Sequence, residues 1–298
     1  MPESGFESEE RSLERALAYL ASLENDGQDQ TSCSAELRAI TQQYRKLLRQ
    51  SRKLMRISDR LQLQLSEAND ALRLENEKRR NLQTIIRQYI PRNTWQKADL
   101  NSQTASLEIP NEEVQRSCMF LDVVDFTRFS ESRPPEEVIH ALNAVFRPVV
   151  GMILDSGGDI DKFIGDSIFA VFQETRTSLI NAIRIQHMVN RMQFLSLRIG
   201  IHAGRVIIGN VGGAARKDNT YMGDNVNISA RLQTHALPGG IMISRDALND
   251  AQLQHELPEL YSLPRTPLFV RGREQPIEII QIDPKVIQVI AEHQFPEE

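Results

Sequence analysis

Between Gln28 and Ile90 the chain contains neither glycine nor proline. Across that run Ile40, Tyr44, Leu47, Leu54, Leu61, Leu65, Ala68, Leu72, Leu82, Ile86 and Tyr89 fall on alternating four- and three-residue steps. That period keeps one apolar seam in line along an α-helix, as a coiled coil requires. Ser51, Ser58, Glu75 and Arg79 occupy seam positions too, so an imperfect, adjustable coil is expected. A helix this long carries a stripe of apolar residues and no core of its own, so it needs a partner. Self-association is the simplest solution, because most soluble oligomers are twofold dimers. The sequence therefore predicts a coiled-coil dimerisation and signalling helix over 31–90. The basic run Arg45, Lys46, Arg49, Arg52, Lys53 and Arg56 reads as its solvated face rather than as a contact with an anionic membrane.

The flanks differ in kind. Residues 1–30 are polar and acidic, partly disordered by composition, with a short helical pattern around Leu13, Ala16, Leu17, Leu20 and Leu23. After Tyr89-Ile90-Pro91, residues 91–111 read as a connector in which Pro91, Asn93 and Thr94 break the helix. From 112 to 283 the elements alternate, and 284–298 is left as a tail. A strand near 116–123 leads to Pro134-Pro-Glu-Glu, a helix start with proline in the first turn and acids at the positive end. Val138, Leu142, Val145, Phe146, Val149 and Ile153 keep one face of that helix apolar. A hairpin at 160–172, a helix near 177–194 and a strand at Leu197–His202 follow. That order is an α+β fold of the ferredoxin-like sandwich type, helices on one face of a mainly antiparallel sheet.

Two aspartates sit where aspartates are poorly suited to a buried strand. Asp122 closes the apolar run Cys118-Met-Phe-Leu, and Asp166 separates Phe163-Ile-Gly from Ser167-Ile-Phe-Ala-Val-Phe. Alone, each reads equally well as a turn residue, and Gly165-Asp166 is ordinary hairpin chemistry. Together they suggest hard oxygen ligands holding magnesium against substrate phosphates. A third segment, Gly204-Arg-Val-Ile-Ile-Gly-Asn-Val-Gly-Gly followed by Thr220-Tyr-Met-Gly-Asp-Asn-Val-Asn227-Ile-Ser-Ala-Arg231, completes a pattern. It resembles the class III nucleotidyl cyclases, the adenylyl and guanylyl cyclases, over 112–283. The resemblance rests on Phe120 to Thr127, on Lys162 to Asp166 and on Val226 to Arg231. It departs from the family at Asp125, where a glycine is expected before Phe126-Thr127 in a loop resembling a phosphate cradle.

The resemblance implies an adenylyl cyclase making 3′,5′-cyclic AMP and pyrophosphate from ATP, as a second-messenger signal. Asp122 and Asp166, with the Val123 carbonyl, would hold two magnesium ions per site, manganese being a substitute. Asn227 would position the ribose, and Arg231, one helical turn on, would meet charge on the α-phosphate. Lys162 and Thr220 would choose the base, a lysine donor toward N1 favouring adenine. Phe126, Thr127, Arg216 and Arg271 would lie toward the phosphates. In this family the metal aspartates come from one subunit and the remaining residues from the other, so a homodimer would complete two sites. Tyr89-Ile90-Pro91 would be where a signal enters, with an unidentified regulatory protein a candidate partner of the helical arm. His202 receives a structural role only.

Composition narrows the alternatives. The chain has 298 residues, 40% hydrophobic and 25% charged, as in a soluble protein with one core and an appendage. Cys33 and Cys118 lie in unrelated contexts, so a reducing, cytoplasmic setting is expected. No apolar stretch suggests a membrane span, and the acidic start is unlike a secretory leader. A net charge of −5 argues against nucleic acid as the main partner. The rival readings are a guanylyl cyclase, a diguanylate cyclase read from Gly157-Gly-Asp-Ile-Asp, and a catalytically weak coiled-coil scaffold, for which Asp125 is the sequence support.

Overall fold

A computed structural model describes residues 7–25, 31–103, 108–213, 215–270, 273 and 275–294. The chain divides into two units, Met1–Thr84 and Ile85–Glu298. The first unit holds α1 (Glu7–Asn25) and the start of α2 (Thr31–Tyr89). The seam lies open along it: Leu47 is 62% exposed, Leu54 67% and Leu65 63%. Among the described residues, nothing covers this row of leucines.

Pro91 ends α2, since it has no N–H to offer and its ring disfavours helical geometry at Ile90. The expected break is short. A new helix, α3 (Arg92–Gln103), starts at once, so most of the connector at 91–111 is helical. Its first amides are capped from a distance: the Arg92 and Asn93 N–H groups donate to Asp159 Oδ1 and Oδ2 at 3.1 and 2.9 Å. A side-chain cap contributes about 1 kcal/mol, and one placed 66 residues away in sequence leaves no local signal.

The remaining elements are β1 (Glu112–Val123), α4 (Phe126–Glu131), α5 (Pro135–Asp155), β2 (Asp159–Ile164), β3 (Ser167–Phe172), α6 (Thr175–Met192), β4 (Leu197–Gly213), β5 (Arg216–Met222), α7 (Asp224–His235), β6 (Ile241–Ser244), α8 (Arg245–Ala251), α9 (Pro258–Ser262), β7 (Arg265–Leu268), β8 (Ile277–Ile282) and α10 (Pro284–Gln294). The sheet runs β2-β3-β1-β4-β6-β8-β7, with β5 paired to the far half of β4. Every pairing is antiparallel except β4 with β6. The path β1-α5-β2-β3-α6-β4 with order β2-β3-β1-β4 is the ferredoxin-like arrangement expected.

Alternation along β1 explains the layers. Met119 and Leu121 point into the larger core with Val145, Val149 and Ile153 of α5 and Ile183 and Ile185 of α6. Cys118 and Phe120 point to the other face, where Val206, Ile208, Tyr221 and the Val226 and Ala230 side chains of α7 cover them. A strand apolar on both sides needs cover on both sides, so α7 is a second layer opposite α5 and α6.

Residues 284–298, expected as a tail, form α10 through Gln294, and Ile287 and Ile290 join the larger core. Among the described residues α5 alone is long and apolar enough to cross a membrane; here its apolar face packs into that core. Cys118 is a buried free thiol pushed up to about 12 by burial, with the nearby Asp161 charge adding to it. The Cys33 side chain lies outside the described residues.

Candidate active site

The two aspartates meet at the end of β1. Asp122 stands opposite Ser167 in the β1–β3 register, and the Ser167 hydroxyl donates to Asp122 Oδ1. Ile164 pairs with Ser167, which leaves Gly165-Asp166 as a two-residue hairpin turn. Gly165 has φ 62° and Asp166 does not share the positive φ, the pattern of a type II′ turn that needs glycine first. The Val123 N–H then donates to the Asp166 carbonyl at 3.3 Å, tying the hairpin tip to the strand end.

Burial pushes the Asp166 carboxyl above the usual carboxylate range, and the Asp122 charge adds to it against an opposing backbone hydrogen bond. Two carboxylates that repel each other beside backbone carbonyls suit a hard divalent cation, which would remove the repulsion. No group of three or more histidine, cysteine or acidic side chains with metal-binding geometry occurs among the described residues. A pair of carboxylates with a backbone carbonyl fits such a hard divalent cation, whose remaining positions water and phosphate oxygens would fill.

Asp125 adopts φ 55° and ψ 30°, the left-handed conformation for which glycine is the usual residue. Aspartate is among the few other residues that tolerate it. Its carbonyl accepts from Phe129 N–H at 3.1 Å and so starts α4. Thr127 is exposed there, whereas the Phe126 ring packs on the core and against Phe129, 6.0 Å between centroids. Phe126 therefore offers a ligand its backbone rather than its ring.

A second cluster forms where β2 faces β5. The β2–β3 register slips between Ile160 and Lys162, which makes Asp161 a bulge residue. In a regular strand neighbours point to opposite faces; a bulge re-aims one of them. Asp161 turns inward, its side chain 1% exposed, and Lys162 Nζ still comes within 3.5 Å of Asp161 Oδ2 and 2.8 Å of Asp218 Oδ2. The Thr220 hydroxyl donates to Asp161 Oδ2 at 2.7 Å, and Asp161 Oδ1 is buried without a hydrogen-bond partner.

Burial raises the Asp161 carboxyl, opposed by the Thr220 bond and the Lys162 charge. Burial works to lower Lys162, but its bond to Asp218 and the charges of Asp161 and Asp218 outweigh it and hold the ammonium above its usual value. Asp161 and Lys162 border an open cavity of about 1280 Å³ that Trp95, Leu154, Phe163 and Asp218 also line. The two residues expected to choose the base are thus brought together through a third, Asp161, which sequence reasoning missed. Only the bulge makes it an inward group, and no local pattern announces that.

The α3 cap also reaches this cluster. Asn93 Nδ2 donates to Tyr221 Oη at 3.2 Å, and the Thr94 hydroxyl lies 3.4 Å from the Asn219 carbonyl. These are the two neighbours of Thr220.

Asn227 and Arg231 both lie on α7, one turn apart, Asn227 exposed and Arg231 half-buried beside the buried pair Ile228 and Leu232. The helix is seated by Gly200 of β4: a Cβ there would lie 2.1 Å from the Gln233 amide nitrogen and 2.4 Å from the Ser229 carbonyl. His202 fixes its first turn. Nε2 faces Asn225 Oδ1 at 3.0 Å and Nδ1 faces Ser244 Oγ at 2.7 Å. Burial lowers its pKa, against the Asn225 bond, and the imidazole ties β4 to the first turn of α7 and the end of β6, the structural role expected.

Arg216 is exposed at the distal end of β5, opposite Gly213. It stands four residues, roughly 13 Å, along the strand from Thr220, so the fold does not bring it to the base-choosing pair. Arg271 lies outside the described residues.

The chain thus presents two half-buried carboxylates at the end of β1, a lysine–threonine cluster held by Asp161, and a helix carrying Asn227 and Arg231 one turn apart. Residues 110–281 match the family model for the adenylate and guanylate cyclase catalytic domain, and the chain belongs to that family. It is 30% identical over 183 residues to the adenylate cyclase of Anabaena cylindrica, covering 55% of this chain and 36% of that one. The chain thus spans about a third of the length of this curated relative. Among solved structures it is similar to the adenylyl cyclase CyaB from P. aeruginosa, at 26% identity and TM-score 0.51, over 58% of this chain and 96% of that one. It is equally similar to the guanylyl cyclase Cya2, at 26% identity and TM-score 0.52, over 58% and 93%.

Proposed function

We propose that this chain is an adenylyl cyclase, closing ATP to 3′,5′-cyclic AMP with loss of pyrophosphate at sites shared by two copies. The observation that carries the base preference is the cluster of Lys162 and Thr220 around Asp161. Adenine offers an acceptor at N1 and a donor at N6, guanine the reverse at N1 and O6. A protonated Lys162 donates to the first, and mismatched polar groups in a closed pocket carry a large penalty.

In the reaction the ribose 3′-oxygen forms a bond to the α-phosphorus, the bridge to the β-phosphate breaks so that pyrophosphate leaves, and the 3′ proton passes to solvent water. Asp122, Asp166 and the Val123 carbonyl are the residues to hold two magnesium ions, or manganese in their place. When bound, such ions lower the pKa of the 3′-hydroxyl and neutralise the phosphates. Asn227 orients the ribose, and Arg231 presents a planar fork of donors to the α-phosphate. The Phe126-Thr127 backbone would meet the triphosphate, with Arg216 and, by its place in the sequence, Arg271 as the cations for it. Asp125 sets an exposed carboxylate in the phosphate loop, where it would either repel the triphosphate or supply a further metal oxygen. The exposed α2 seam supports a homodimer, whose setting is the cytoplasm and whose arm is the docking place for a regulatory protein.

The test is product formation from ATP and, separately, GTP, in magnesium and in manganese, with Asp122→Ala as control. Cyclic AMP absent from the control is expected. Faster GTP turnover would favour the guanylyl reading, which the similarity to a guanylyl cyclase keeps open. Mixing inactive Asp122→Ala with inactive Arg231→Ala chains should restore about a quarter of the activity, since random pairing makes half of the dimers mixed, each with one intact site. No restoration would overturn the shared site.

A further inference from the structure

We propose that Asp161 is a positioning residue that sets the hydrogen-bond polarity of Thr220, and thereby makes the base site accept an amino group and reject a carbonyl. The inference deepens the reading of this chain as an adenylyl cyclase and rests on it. An ionised carboxylate can only accept hydrogen bonds, and a threonine hydroxyl has one hydrogen to give. At 2.7 Å from Asp161 Oδ2, that hydrogen is committed. What Thr220 Oγ retains is lone pairs, able to accept from the N6 amino group of adenine and unable to donate to O6 of guanine.

Asp161 acts on the other reader as well. With Asp218, which takes one Lys162 N–H at 2.8 Å, it holds the ammonium in place by an ion pair at 3.5 Å, leaving N–H donors for a ring nitrogen. The bulge at Asp161 is what allows one carboxylate to govern both residues. Without that irregularity its side chain would point to the opposite face from Lys162. Selection against guanine here is a repulsive element, lone pair against lone pair, of the kind that discriminates between similar ligands.

Asp161→Asn keeps the shape and lets the amide donate to Thr220, releasing the hydroxyl hydrogen toward the base. The measurement is displacement of a ribose-labelled fluorescent ATP analogue from the full-length protein by ATP and by GTP, alongside kcat/KM for each nucleotide. The ATP:GTP preference is expected to fall about tenfold or more in Asp161→Asn, to survive in Thr220→Ser, and to fall equally in Thr220→Val. In a Thr220→Val background Asp161→Asn should change the ratio no further, because the effect passes through one hydroxyl. An equal loss for both nucleotides, with the ratio unchanged, would show a structural role and overturn the proposal while the adenylyl reading stands. A wild-type preference for GTP would instead overturn that reading. If Asp161→Asn fails to fold by its melting curve, the contrast between Thr220→Ser and Thr220→Val decides: unchanged ratios in both refute the proposal.

Discussion

Asp166 occupies a position that burial and the Asp122 charge make unfavourable for a carboxylate, as sites of function often are. Its folded-state pKa is raised, so protonation favours the metal-free fold. That contribution is fully present below the unfolded value of about 3.9 and is lost as pH rises through the raised value. Asp166→Asn should therefore raise the melting temperature of the metal-free protein at neutral pH and abolish turnover. Magnesium or manganese should stabilise the wild type and leave the variant unmoved. Scanning fluorimetry with and without a chelator measures both, and a variant that melts lower than the wild type would contradict the account. Asp122 and Asp166 were legible in sequence because a charge at the rim of an apolar run is conspicuous. Asp161 was not, because its inward turn belongs to a register slip between two strands.

At the scale of elements, α7 carries Asn227 and Arg231 and rests on β4 where Gly200 leaves room. Gly200→Ala has to displace helix backbone, not a flexible side-chain tip, and should cost about 1–3 kcal/mol of stability as overpacking does, with a larger loss of turnover because the Asn/Arg pair moves with the helix. Gly151, inside α5, has open space where its Cβ would be, so Gly151→Ala should gain about 0.5–1 kcal/mol. Denaturant melts of the two variants give the comparison; similar behaviour would mean that α7 is not seated by Gly200. The elements from β1 through the start of β4 were readable from period and turn residues, whereas α3 and α10 were not. That α7 covers the opposite face of the sheet was not, although the two-sided apolarity of β1 required something there.

At the scale of the whole molecule, the seam on α2 is exposed along a single copy, and burying a leucine contributes roughly 1.5–3 kcal/mol. Self-pairing through such a row would set the separation of two catalytic domains. The Asp159 cap on α3, with Asn93 and Thr94 held at Tyr221 and Asn219, connects the helix end to the strands bearing Lys162 and Thr220. Deleting residues 1–90 should weaken dimerisation in sedimentation measurements and change the specific rate at matched concentration. An unchanged mass and rate would remove the arm from the mechanism.

The sequence by itself determined the long helix, the alternation of the catalytic domain, the paired aspartates and the Asn/Arg spacing, since each is written in residues close along the chain. Tertiary structure alone decided which carboxylate stands between Lys162 and Thr220, that Asp159 restarts a helix just past Pro91, and that residues 284–294 close the core. Those features depend on strands and loops distant in sequence meeting in one register, and a register is fixed by packing across the whole sheet.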